Sequence, residues 1–155
     1  MVYRYGSFWR RALAIIIDRF IISFLYLALL IGEFAFTSGH SFELLRRING
    51  PFLIGHILLG YILGAVYFTW FHGTTGQTPG KILLKLKVIS VRRRELTYFM
   101  AFIRFLGYLL SALALFLGFL WAAFDPKKQA WHDKIAGTVV IMVNVSAGDY
   151  EIAKW

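Results

Sequence analysis

Phe52 to Phe71 is a run of twenty residues with no Asp, Glu, Lys or Arg, and Phe105 to Phe124 is another. A third, Ala12 to Ile31, is broken only by Asp18 and Arg19. A helix of about 20 residues crosses the ~30 Å hydrocarbon layer of a bilayer. In lipid the backbone N–H and C=O groups find partners only within a helix or a closed barrel. A barrel needs many alternating segments of about ten residues, and the chain has none. The runs are therefore read as membrane helices at about 12–31, 52–71 and 105–124. Composition closes off the soluble alternative. Of 155 residues, 59% are hydrophobic and 16% charged, and a chain this short buries only about two thirds of its surface on folding. The expected fold class is all-α integral membrane: a small polytopic bundle, one domain over 1–155. The first run is too long for a cleavable signal peptide, and no small-residue cleavage site follows it.

Aromatic residues mark the run ends: Trp9 before the first, Trp70 and Phe71 closing the second, Trp121 and Phe124 closing the third. This is the distribution of interfacial belts. The net charge of +9 has the same origin, because cytoplasmic loops of membrane proteins collect Lys and Arg and meet anionic headgroups. No nucleic-acid recognition motif is present, so none is expected as a partner. Three such residues precede the first run, two fall between the first and second, seven lie from His72 to Arg104, and four follow the third. The N-terminus and the basic loop 72–104 are thus expected in the cytoplasm.

The tail, 125–155, is harder to place. Three simple crossings put it outside, yet Lys127 and Lys128 sit beside the membrane. Leu96 to Phe124 is 29 residues, about 43 Å as one straight helix. Gly107, Ser111 and Gly118 offer places for a bend, and a bent or re-entrant third element returns the tail to the cytoplasm. Two further stretches favour that side. Leu84 to Val88 alternates as a half-wet strand does, and Thr138 to Val143 is rich in β-branched residues. They form a short cytoplasmic strand pair if they share a side; otherwise Lys85 and Lys87 touch headgroups from an irregular segment.

Ionisable groups inside a membrane helix cost about 2.5–3.5 kcal/mol each on insertion scales and need partners. Arg11 and Asp18 are seven residues apart, on one helix face and about 10 Å apart along the axis. Each therefore needs a partner from elsewhere. Arg104 is the candidate for Asp18, and Asp133 the candidate for Arg11 if the tail is cytoplasmic. Arg19, about 100° around the helix, snorkels to the headgroups. His56, Gly60 and Gly64 share one stripe of the second helix, and Gly60 and Gly64 form a GxxxG packing motif. Thr74 to Lys81 fails as a phosphate loop: three residues separate Gly76 from Gly80 where four are needed, and Ile82 follows Lys81. Lys81 is read as a headgroup contact. With no cysteine, no paired carboxylates and no nucleophile–base set, neither catalytic nor metal-ligating residues are expected, and no cofactor.

Three motifs in order resemble the RDD family of bacterial membrane proteins: Arg10-Arg11-x-x-Ala14-x-x-Ile17-Asp18, then Gly76 to Lys81, then His132 to Val140. The resemblance runs from about Trp9 to Val143. It implies a multi-pass inner-membrane protein. It also implies that the family's arginine and two aspartates are Arg11, Asp18 and Asp133, with Arg104 a further arginine. Gln77, Lys81, His132 and Thr138 are accessory positions within the same motifs. Transport of unidentified ligands has been suggested for the family, and exchange of monovalent cations for protons credited to some relatives. The resemblance thus points to transport in which Asp18 and Asp133 take a cation or proton and Arg11 and Arg104 act as counter-charges. The alternative is a scaffold in which the same charges only lock helices together. A chain this small would enclose a pathway only as a homo-oligomer, or with another membrane protein.

Overall fold

A computed structural model describes residues 4–37, 50–92 and 96–143. Its elements in order are α1 (Phe8–Thr37), α2 (Gly50–Thr75), α3 (Pro79–Leu83), β1 (Leu86–Ser90), α4 (Tyr98–Leu113), α5 (Leu117–Phe124), α6 (Trp131–Ile135) and β2 (Thr138–Met142). The first two apolar runs are the centres of α1 and α2. Both helices are long and apolar enough to cross a membrane, and each extends past its run at both ends. Phe20, Phe24, Leu53, Ile57 and Phe99 are exposed. A soluble bundle of this size does not present so continuous an apolar exterior, whereas lipid is an adequate solvent for it.

The third run does not cross straight. It breaks between α4 and α5, which meet at 101°. The break lies at Ala114, Leu115 and Phe116, the last two in the left-handed region at φ 51° and 63°. A non-glycine residue pays about 1–2 kcal/mol there. The expected bend positions serve another purpose, since they let backbones approach. A Cβ on Gly118 would lie 2.7 Å from Ser111 Cβ, and one on Gly107 would lie 2.6 Å from His132 Cβ. Gly118 thus closes α5 against α4, and Gly107 seats α6 on α4.

β1 and β2 pair antiparallel, with Leu86 opposite Met142 and Ser90 opposite Thr138. The strand pair read from the sequence therefore forms, with the first strand starting two residues later than Leu84. Residues 4–6 run along the other edge of β2: Gly6 N–H donates to Val140 O at 2.9 Å, and Met142 N–H to Arg4 O at 2.9 Å. The start of α1, the segment after α2 and the segment after α5 consequently share one end of the molecule. Ala14 packs there on Leu86, Val88 and Val140. Farther into the helices, Ile22, Tyr67, Phe68, Phe105 and Tyr108 form a second core.

Gly64 meets the Phe105 ring, a Cβ there lying 3.5 Å away, while one on Gly60 would meet no atom among the described residues. Half of the GxxxG stripe is thus packed within the chain and half is open. Gly107→Ala is expected to lower thermal stability in detergent by about 1–3 kcal/mol through overpacking. Gly60→Ala should leave stability unchanged or raise it by up to about 1 kcal/mol.

Candidate functional site

The two buried aspartates are satisfied in different ways. Asp133 stands in the first turn of α6, where its carboxylate accepts the Ala130 N–H at 3.0 Å. Arg11 Nη1 donates to Oδ2 at 2.7 Å, and Arg104 Nη1 donates to Oδ1 and to Thr138 Oγ1. One carboxylate thereby ties the start of α1, the middle of α4 and the turn into β2. Asp133 is fully buried. Burial alone would raise its pKa, but Arg104, Arg11 and the Ala130 N–H outweigh burial and hold the carboxyl well below the usual range.

Asp18 makes no ion pair among the described residues. Tyr67 O–H and Gly80 N–H donate to its Oδ1 at 2.9 and 2.8 Å, and Thr78 O–H donates to Oδ2 at 2.6 Å. The expectation that Arg104 pairs with Asp18 is therefore corrected: Arg104 is engaged by Asp133 and Thr138. Asp18 is met by α3 and by the Tyr67 hydroxyl of α2. Thr78 caps α3, its hydroxyl accepting from Lys81 N–H at 3.3 Å, and Pro79 opens the helix where a missing N–H costs nothing. Gly80 permits the approach, because a Cβ there would lie 2.3 Å from Ala14 O. Gly76, at φ 72°, turns the chain from α2 with room for no side chain beside Val88 O. Gln77 donates to Leu86 O at 2.8 Å and holds the start of β1.

Lys81 does not reach headgroups. It is 2% exposed, and its Nζ lies 2.8 Å from His72 Nε2. His72 Nδ1 lies 2.8 Å from Phe68 O. A carbonyl only accepts, so Nδ1 carries the proton and Nε2 accepts from Lys81. Burial lowers the Lys81 pKa, with Arg104 adding to it. Sequence reasoning missed His72, Tyr67 and Thr78. The one available pointer was Thr78-Pro79 directly ahead of Gly80-Lys81, a helix start.

His132 lies beside the Asp133 group, its ring 4.4 Å from Tyr108 and 5.2 Å from Phe119 between centroids. Burial pushes its pKa down to about 3 against the pull of Asp133, so the ring is neutral at pH 7. Arg19 is exposed with its guanidinium 5.9 Å from the Phe68 ring centroid. His56, in α2, lies against Phe52 and 3.7 Å from Glu33, away from the site. On the rim, Lys134 pairs with Asp125 at 2.5 Å.

A cleft of about 760 Å³ opens between α1, α2 and the α4–α5 hairpin. Arg11, Lys81, Arg104 and His132 line it, together with aliphatic and aromatic side chains of α1, α4 and α5. Arg11 Nε and Nη2, Arg104 Nε and His132 Nδ1 have no hydrogen-bond partner among the described residues.

The sequence profile of the RDD family matches residues 5–137. The chain belongs to the RDD family. It is 28% identical over 146 residues to the uncharacterized protein YxaI of Bacillus subtilis, covering 88% of this chain and 96% of that one. It is 32% identical over 103 residues to a proline-rich antigen homolog of Mycobacterium tuberculosis, covering 62% of this chain and 43% of that protein. The chain thus spans less than half the length of that mycobacterial relative. No solved structure matches. Every residue that donates to Asp18 or Asp133 in the hydrogen bonds described above lies in the matched segment, and Thr138, which accepts from Arg104, lies one residue beyond it.

Removing the charge from each aspartate separates the two arrangements. Asp133→Asn leaves two buried guanidiniums facing an amide and should cost about 3–5 kcal/mol. Asp18→Asn replaces one acceptor oxygen with an NH2 donor that faces donors and should cost about 1–3 kcal/mol. Thermal unfolding in detergent reads both.

Stability is also expected to fall below neutral pH. The folded His132 ring refuses a proton that the unfolded chain binds below about 6.5, so stability is lost as pH falls from there toward about 3, by up to about 1.4 kcal/mol per pH unit. Asp133, with its folded pKa depressed, gives stability above about 3.8 that is lost below it. His132→Gln should flatten the first part of the melting-temperature profile, between pH 6.5 and 4, and leave the second.

Proposed function

We propose that this membrane protein is a ligand-handling protein of the transport class, resident in the bacterial cytoplasmic membrane, with its site at the cationic end of the cleft. One observation carries this reading: Arg11 and Arg104 line the cleft, and each keeps a buried guanidinium N–H without a hydrogen-bond partner among the described residues. Such donors in a pocket select an anion. The distribution of Lys and Arg supports a cytoplasmic N-terminus. On that orientation the site and both strands lie at the cytoplasmic end.

Exchange of a monovalent cation for a proton is less well supported by the geometry. Asp133 is already shared by two guanidiniums and Asp18 by three neutral donors, so a cation would have to strip either carboxylate of its partners. The scaffold reading is compatible with the same groups: the bonds that lock α1, α3, α4 and α6 also hold the arginines at the cleft. Association of copies through the open Gly60 stripe would complete a pathway.

The test uses delipidated protein in a neutral detergent and proteoliposomes made from it. Inorganic phosphate should raise the melting temperature relative to sodium chloride at matched ionic strength. Na⁺ or K⁺ added to proteoliposomes should leave an imposed pH gradient intact. Gradient dissipation that disappears in folded Asp18→Asn, without any phosphate effect, would establish cation exchange instead.

A further inference from the structure

Four features of the cleft bear on what it holds. Its volume, about 760 Å³, lies within the range of small-molecule sites. Its walls are apolar: Ile15, Ile22, Leu109 and Phe119 line it inside, and Leu115 and Phe116 line its outer edge while largely exposed. The outer edge therefore faces the surroundings that the rest of the bundle faces, which is lipid. Along α1 the lining runs from Phe8 to Tyr26, and the part from Arg11 to Tyr26 covers about 22 Å of helix axis. That exceeds half of the ~30 Å hydrocarbon layer, enough for the chain of one leaflet.

The polar end is unbalanced. Arg11, Arg104 and Lys81 are buried with Asp133 and Asp18, three formal cations against two carboxylates. Each carboxylate is already engaged by three protein donors. Arg19 adds a fourth cation at the cleft wall. A group that enters here meets donors and positive charge at one end and hydrocarbon along the rest.

We propose that the cleft seats an anionic phospholipid of the membrane, its phosphate on the free N–H groups of Arg11 and Arg104 and one acyl chain along the apolar wall between α1 and the α4–α5 hairpin. This deepens the anion-site reading above and rests on it. Charge explains the preference within lipids. A choline or ethanolamine head brings an ammonium to a site whose carboxylates are taken and whose rim carries Arg19. A phosphatidylglycerol head brings one net negative charge and no cation, its hydroxyls able to donate or accept.

The experiment adds phosphatidylglycerol or phosphatidylcholine in mixed micelles to the delipidated full chain. Thermal unfolding and the lipid adducts retained in native mass spectrometry are read together. Phosphatidylglycerol should raise the melting temperature and leave one retained adduct; phosphatidylcholine should do neither. Arg11→Lys keeps the charge and an ion pair to Asp133 but loses the planar fork that carries Nε and Nη2, and should weaken phosphatidylglycerol binding roughly tenfold, the scale of one charge-assisted hydrogen bond. Ala112→Trp fills the apolar wall without touching the charged groups. It should abolish the adduct while the lipid-free melting temperature stays at the wild-type value. Equal response to both lipids, or wild-type binding in Ala112→Trp, overturns the proposal. Stabilisation by inorganic phosphate without any by phosphatidylglycerol overturns the lipid and leaves the anion site standing. Failure of both probes removes the anion site as well.

Discussion

One carboxylate holds the polar half of this molecule together. Asp133 receives Arg11 from α1 and Arg104 from α4, while its own backbone belongs to the turn that leads into β2. Each guanidinium alone would be an uncompensated charge among apolar helices. Shared on one carboxylate in a dry setting, the two are held against the desolvation cost that burial imposes. The arrangement also fixes topology. Arg11 lies in the first turn of α1 and Asp133 lies past the end of α5, so the ion pair requires the segment after the third apolar run to return to the end where α1 begins. A hairpin bent at 101° achieves that return, and the strain of two left-handed residues at its tip is small beside the charges it brings together.

Asp18 shows the other way to keep an ion in the membrane. Its oxygens are covered by a hydroxyl from α2, a hydroxyl from the cap of α3 and an amide N–H of α3. These are dipoles, and none brings a second ion to be desolvated. The motif Gly76-Gln77-Thr78-Pro79-Gly80-Lys81 then reads residue by residue as a docking device. Gly76 makes the turn, Gln77 holds β1, Thr78 caps α3 and donates to Asp18, Pro79 presets the helix, and Gly80 lets its backbone touch α1. Lys81 is carried inward to His72 by that docking.

These facts set what could be read from residues alone. The three apolar runs, the strand pair and the Arg11–Asp133 pair were legible, because length, alternation and uncompensated charge are properties of the chain. The partner of Arg104 was not. Opposite charge made Asp18 an attractive choice, but which carboxylate Arg104 meets depends on how far the hairpin carries α6 back. Lys81 looked exposed because its neighbours Thr78, Pro79 and Gly80 are those of a surface turn. Its burial follows from the fit of Gly80 against Ala14, a tertiary contact. The break at Leu115 and Phe116 was equally hidden: both residues favour helix or strand, and Gly107, Ser111 and Gly118, which looked like hinges, are contact points.

The two ways of burying aspartate together leave a residue of positive charge in one place. Asp18 and Asp133 are two carboxylates buried beside three formal cations, Arg11, Lys81 and Arg104, so one positive charge is left over. The excess sits beside the cleft. A bundle of two long helices and a short hairpin has too few layers to bury a charge on every side, so the same packing that locks Arg11 and Arg104 also leaves them along an opening toward lipid. On the reading proposed above, structural lock and ligand site are one set of atoms. Replacing Arg11, Arg104 and Asp133 together with apolar residues of similar volume is expected to hold or raise the stability of the bundle, and it would remove the cationic end on which the proposed anion site rests.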